Sequence, residues 1–297
     1  MALDTQITSV KYFRNADKVI LIKEVSSNEA IQAVAILDKN KNHLGDSINP
    51  FFTNDFFFEI ARGNISGIKS YIIVGKKDSI SQSVFDDLSQ IPNTNIILDP
   101  GGIQMELVSG DANDTSNGTG AQTVCIVYLD TSGIELIEIV ILNGTTPVNT
   151  VATNIDKIQW INVLTVGSNS VAEGNISLRN TDGSVTYEYI VAGGNQSLSA
   201  RYTIPTNKTG YITGWQGSGI TKIIDLELRA TVDRVDRTLI TAFTFQDALR
   251  LDAAPSGHIP FLIPLKMPAG TQIKLSGRSS AATGDAAGHF SIILVDN

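Results

Sequence analysis

The sequence predicts a mostly β protein: a C-terminal antiparallel β-sandwich of jelly-roll type, preceded by a smaller, mixed but mostly β N-terminal module. Three observations carry that expectation. From about Thr123 onward, short runs of alternating apolar residues recur at intervals of about ten, the spacing of strands in a sandwich or barrel. Gly, Asn, Asp and Pro punctuate the runs where turns need them, and helical periodicity is nearly absent. Hydrophobic residues make up 42% of the 297-residue chain and charged residues 18%, enough apolar material for a packed core and no compositional case for disorder.

Taken in order, residues 1–108 form the N-terminal module, an anchor or attachment piece. Within it 18–23, 30–37 and 70–75 read as strands, 54–61 as a helix turn or a strand, and 78–90 as room for a short helix. Lys39-Asn40-Lys41-Asn42-His43 reads as a solvated hairpin turn. Residues 109–120, nearly free of apolar side chains and rich in turn formers, are a linker between domains or one long loop within a single sandwich whose first strand is 102–108.

The sandwich occupies 121–297, with strands expected at 123–129, 134–142, 157–166, 174–180, 185–191, 197–204, 210–216, 223–232, 239–245, 259–265, 271–275 and 290–295, packed as two sheets. Asp130-Thr131-Ser132-Gly133, Asn143-Gly144, Asp182-Gly183 and Pro268-Ala269-Gly270 supply the turns. Gly193-Gly194 and the run Gly214-Trp215-Gln216-Gly217-Ser218-Gly219 also read as turns between strands rather than phosphate cradles. The alternation Ile134-Glu135-Leu136 slips by one at Ile137, which a β-bulge or an edge position accounts for. Phe290-Ser291-Ile292-Ile293-Leu294-Val295 is too apolar for an exposed terminus and is expected to be a central strand with both faces covered.

Charge and motifs argue against most chemistries. The net charge is 22 − 30 = −8 with the acids scattered, so the clustered basic face that nucleic acid requires is missing. Met1-Ala2-Leu3-Asp4-Thr5-Gln6 lacks the marks of a secretory signal and no run approaches the roughly 20 apolar residues of a spanning helix, so the expectation is a soluble chain made in a cytoplasm. Cys125 sits in an alternating apolar run without a basic neighbour and reads as a packed small hydrophobe.

His43, His258 and His289 are far apart in sequence and fit no metal-ligand spacing, so no metal is expected. Asp225, Glu227, Asp233 and Asp236 offer carboxylates for acid–base work, but Arg229, Arg234 and Arg237 are interleaved with them, and a salt-linked strand and turn is the favoured explanation. With no G-x-S-x-G elbow and no phosphate-binding loop, no catalytic residue and no cofactor is expected. Tyr211 and Trp215, flanked by glycines, are either ligand-facing aromatics or packing anchors.

Several segments resemble virion structural proteins of tailed phages. The likeness runs through 56–67 (Phe-Phe-Phe-Glu-Ile-Ala-Arg-Gly-Asn-Ile-Ser-Gly), 113–124 (Asn-Asp-Thr-Ser-Asn-Gly-Thr-Gly-Ala-Gln-Thr-Val), 142–148, 202–211 and 292–297, and so spans nearly the whole chain. The resemblance implies a non-enzymatic particle component of β-sandwich character: a capsid-attached decoration or head-fibre protein found in the virion and assembled in the host cytoplasm. Its implied partners are other phage structural proteins and copies of itself, as a homotrimer. The alternative is a tail- or neck-associated module binding a host surface glycan or receptor, with Trp160 or Trp215 exposed at a concave site.

Overall fold

The computed structural model describes the backbone of residues 7–15, 18–25, 34–37 and 56–297, apart from 93–95, 97–98, 221–222, 253–255 and 281–283, and side chains from Phe57 onward except those segments and Ile220. The expected hairpin turn at Lys39 to His43 lies outside the described residues. The chain divides into two compact units, 1–62 and 63–297.

In the first unit β1 (Ile7–Asn15), β2 (Lys18–Val25) and β3 (Val34–Leu37) form an antiparallel sheet in chain order. Within the stretch expected as a helix turn or a strand, the described residues form a helix, α1 (Phe56–Ala61), where Arg62 closes the last turn over the Phe58 ring at 4.3 Å and pairs with Glu59 at 3.5 Å.

Among its described residues every element of the second unit is an antiparallel β-strand, and these strands make two sandwiches rather than one. The first sandwich faces one sheet, β17 (Ser256–Met267), β14 (Lys208–Ile220), β19 (Asp285–Asp296) and β4 (Ile68–Lys77), against another, β13 (Arg201–Thr203), β18 (Gln272–Ser279), β15 (Ile224–Val232) and β16 (Leu239–Leu251), with β5 (Asp86–Asp87) paired to β18. Trp215, Tyr202, Phe290, Ile292, Leu228 and Met267 are among its buried core residues. The second sandwich faces β10 (Ile155–Val166), β7 (Ala121–Asp130) and β8 (Glu135–Ile141) against β12 (Thr186–Ile190), β11 (Ile176–Asn180), β6 (Met105–Ser109) and β9 (Val148–Asn149), over a core that includes Leu107, Val124, Ile126, Ile155, Ile161 and Leu178. The chain enters the first sandwich with β4 and β5, leaves to build the whole second sandwich, and returns with β13. One sandwich is thus inserted into the sequence of the other.

This arrangement corrects several expectations. The third strand assigned to the N-terminal module is β4, which pairs with β19 in the second unit. Residues 78–90 carry the short strand β5, not a helix. The segment 109–120 falls inside the second unit as turns wrapped around Asp114, a fully buried carboxylate. It accepts the N–H of Ala121 at 2.7 Å, Glu173 at 3.0 Å and Gly174 at 2.8 Å and the hydroxyl of Ser109 at 2.5 Å. Four donors on one carboxylate make a polar sequence into a fixed loop.

The glycine run 214–219 lies within β14 instead of making a turn. Gly217 and Gly219 face the opposite sheet so closely that a Cβ at Gly217 would lie 2.1 Å from Leu226, and one at Gly219 2.6 Å from Ile224. Glycine here allows two sheets to approach. Gly133 (φ 74°) and Gly183 (φ 73°), by contrast, occupy the left-handed turn positions that the sequence assigned to them.

Two expectations about elements find direct counterparts. β19 lies between β14 and β4, with Phe290, Ile292 and Leu294 in the core and Ile293 buried on the other face. β8 is an edge strand with regular register to β7, so the edge position, and no bulge, accounts for the slip at Ile137. Glu138 points inward and accepts the N–H groups of Val151 at 2.6 Å and Ala152 at 3.0 Å.

Candidate functional site

The residues singled out in the sequence are not brought together. Tyr211 and Trp215 both lie on β14, but the pairing with β19 slips at Thr213, which has no partner between Ile212 and Gly214. That bulge reverses the facing, so Trp215 joins Ile212 in the core at 1% exposure while Tyr211 stays half-buried on the opposite face. The indole N–H of Trp215 donates to Asp247 at 2.9 Å. Trp215 is a packing anchor.

The carboxylates on β15 are consumed by partners. Asp225 pairs with Arg250 at 2.9 Å and Arg278 at 3.2 Å, and Glu227 with Arg229 at 2.6 Å. Asp233 and Asp236 cap the following turn through the N–H groups of Val235 and Thr238. His258 and His289 flank Gln216 on neighbouring strands, and burial with the charge of His258 lowers the pKa of His289. Among the described residues no group of three or more His, Cys, Asp or Glu side chains is placed to hold a metal ion.

Cys125 is buried at 8% exposure, but beneath the outer face of β7 rather than in the sandwich core. Its cross-strand neighbours are Ile139 and Asn162, and burial pushes its thiol pKa up. Ile137, Ile139 and Ile141 on β8 cover this face and are themselves 66%, 59% and 58% exposed. An edge strand therefore presents three aliphatic side chains to solvent.

Where the two sandwiches meet, the contacts are polar and buried. Gln159 is the bulged residue between Ile158 and Trp160 on β10, and its amide pairs with the backbone of Thr203, donating to the carbonyl at 2.6 Å and accepting the N–H at 2.9 Å. Arg201, 1% exposed, meets Glu188, fully buried, at 2.8 Å and also donates to the carbonyl of Tyr187 at 2.8 Å. Ser199 donates to Glu188 at 2.7 Å and shares a 2.7 Å bond with Ser89. Glu135, at the start of β8, accepts the Tyr202 phenol at 2.7 Å and that of Tyr71 at 3.4 Å. Burial, reinforced by the Glu135 charge, pushes the Tyr71 pKa up to about 12 and raises that of Tyr202 further.

A crevice of about 360 Å³ opens at this junction between β4 and β10. Trp160 forms part of its wall, held by Tyr71 edge-on at 5.3 Å and by Tyr202 stacked at 6.3 Å. The bulge at Gln159 places Trp160 and Asn162 on one face, opposite Ile158 and Ile161, which point into the second core. Asn195 and Ser197 close one rim by backbone bonds to Val163 at 2.8 Å and Ile161 at 2.9 Å, and Lys76 on β4 donates to Leu198 at 3.2 Å. The lining includes no charged side chain. In the sequence Trp160 carries only a weak signal, a tryptophan two residues from the amide Asn162 within an apolar strand, which is ambiguous until a bulge assigns the faces.

No protein-family model matches the chain, and no curated protein matches it. Among solved structures, the chain is similar to one of infectious bursal disease virus, Gt strain, at 12% identity over 82% of this chain and 78% of that one, with a TM-score of 0.23. A T=1 particle derived from that virus gives 12% identity over 78% and 70% with a TM-score of 0.22, and a VP2 subviral particle 10% over 82% and 78% with 0.21. Overlaps this slight carry no functional argument.

Proposed function

We propose that this chain is a non-enzymatic structural subunit of a bacteriophage particle, a capsid-attached decoration or head-fibre component that assembles as a closed trimer and with other particle proteins. The observation that carries the reading is the outward face of β8, where Ile137, Ile139 and Ile141 stand in solvent on an edge strand. A protein that works alone blunts such an edge with charge or covers it; contiguous exposed aliphatics on an edge mark a face that a neighbour covers. The resemblance of segments 56–67, 113–124, 142–148, 202–211 and 292–297 to phage virion proteins supports the same reading and suggests the kind of neighbour.

The test is assembly of the full chain, measured by light scattering and by labelling of purified particles. The expected result is a trimer at micromolar concentration and a label on the capsid, with Ile139→Asp reducing assembly while the circular dichroism of the folded chain is retained, since a site this exposed tolerates the change within about 0.5 kcal/mol. A monomeric wild-type chain that does not associate with particles overturns the proposal.

A further inference from the structure

We propose that the crevice between β4 and β10 binds an uncharged oligosaccharide. The lining selects the charge of its occupant: in a chain with 22 Lys and Arg and 30 Asp and Glu, this concave site includes none of them. An ionic ligand would lose its hydration there without gaining a partner. Its volume of about 360 Å³ lies at the small end of the roughly 300–1,000 Å³ range of ligand sites.

The polar groups that remain suit hydroxyls. Asn162 and Gln196 line the crevice, and their side-chain amides make no hydrogen bond to any described residue, so each offers a donor and an acceptor. The edge of β4 adds more. Because the N–H of Lys76 points away from β19 to Leu198, strand alternation turns the N–H and C=O of Ile72 and Val74 the same way, toward the crevice. Vicinal hydroxyls need such mixed donor–acceptor sets.

The apolar side of the site suits the C–H face of a sugar ring. Trp160 is partly exposed and is fixed by Tyr71 and Tyr202, with Tyr202 in turn anchored on Glu135, so little conformational freedom remains to be lost on binding. A peptide strand is the other occupant that a free edge invites. Here the ladder is already closed at Leu198, and Asn195 and Ser197 occupy the neighbouring edge of β10, so an added strand has no continuous path.

The chain has two tryptophans, and Trp215 is buried, so a ligand-induced change in emission reports on Trp160. The experiment titrates the full chain with neutral oligosaccharides (cello-, malto- and mannohexaose and the N-acetylglucosamine hexamer), with oligogalacturonate and sialyllactose as charged comparators and an alternating Val-Thr peptide as a strand mimic. At least one neutral sugar is expected to shift the emission and bind at millimolar concentration or below, with the charged sugars and the peptide inactive. Trp160→Ala should weaken that binding at least about tenfold. Asn162→Ala with Gln196→Ala, at sites outside the packed ring cluster, should weaken it several-fold while leaving the fold intact, and this double variant decides the matter should Trp160→Ala fail to fold. Absence of binding by every neutral sugar, binding unchanged in the amide double variant, or preferential binding of the charged sugars or the peptide overturns the assignment. None of these readouts depends on whether the chain assembles on a particle.

Discussion

Single residues at the sandwich junction carry consequences out of proportion to their number. Glu188 and Arg201 are a desolvated ion pair, and removing one partner leaves a buried charge uncompensated. Glu188→Ala should therefore cost about 3–5 kcal/mol in denaturant unfolding, several times the effect of Glu227→Ala on its partly exposed pair. The phenols of Tyr71 and Tyr202 give a pH dependence of known sign. Their folded pKa values are raised above the ordinary 10.0, so the stability they contribute is complete below pH 10 and is lost as the pH rises through about 12 for Tyr71 and higher for Tyr202. Thermal melts should fall steeply above pH 10, and less steeply in Tyr71→Phe. Cys125→Ser should lose about 1–3 kcal/mol for a hydroxyl buried without a partner, Cys125→Ala less, and the native thiol should react slowly with a labelling reagent.

Among the elements, β19 and β14 form the centre of the first sandwich. β19 buries Phe290, Ile292 and Leu294, each worth roughly 1.5–3 kcal/mol, between β14 and β4, and it is the strand to which β4 is attached. Deleting 290–297 should yield insoluble or unfolded protein, whereas deleting Met1 to Thr5 should leave the second unit folded; equal melting temperatures for the C-terminal deletion and the full chain would contradict the placement. β14 depends on what it lacks: Gly217→Val drives methyl groups into Leu226 and should prevent the two sheets from closing, read as loss of soluble protein. β8 differs from both, since its exposed isoleucines contribute little to the isolated fold and are expected to matter in assembly.

At the scale of the whole second unit, the inserted sandwich has its own core but shares its polar anchors with its host. Gln159, Glu188 and Glu135 come from the insert, and Thr203, Arg201 and Tyr202 from the host. These bonds should couple the two cores into one unfolding event, because opening the junction breaks several buried hydrogen bonds and an ion pair together. Calorimetry of residues 63–297 should show a single transition, and Glu188→Ala should separate it into two; a double transition in the wild type would show that the junction does not couple them.

Much of the fold was legible locally. All twelve strands expected from 123 onward are present, because alternation and turn chemistry depend on neighbours along the chain: Asp182-Gly183 must turn, and Phe290 to Val295 must be covered. The grouping of those strands was not legible, since pairing β4 with β19 joins residues 68–77 to 285–296, and no local pattern encodes a partner that distant. The candidate site shows the same division. Composition and spacing left Tyr211 and Trp215 open as ligand-facing aromatics or packing anchors, yet one unpaired residue at Thr213 put them on opposite faces, and another at Gln159 turned Trp160 toward the crevice. A strand's residue types follow from its sequence, whereas the face each residue occupies depends on register, which cross-strand pairing sets and a single bulge reverses.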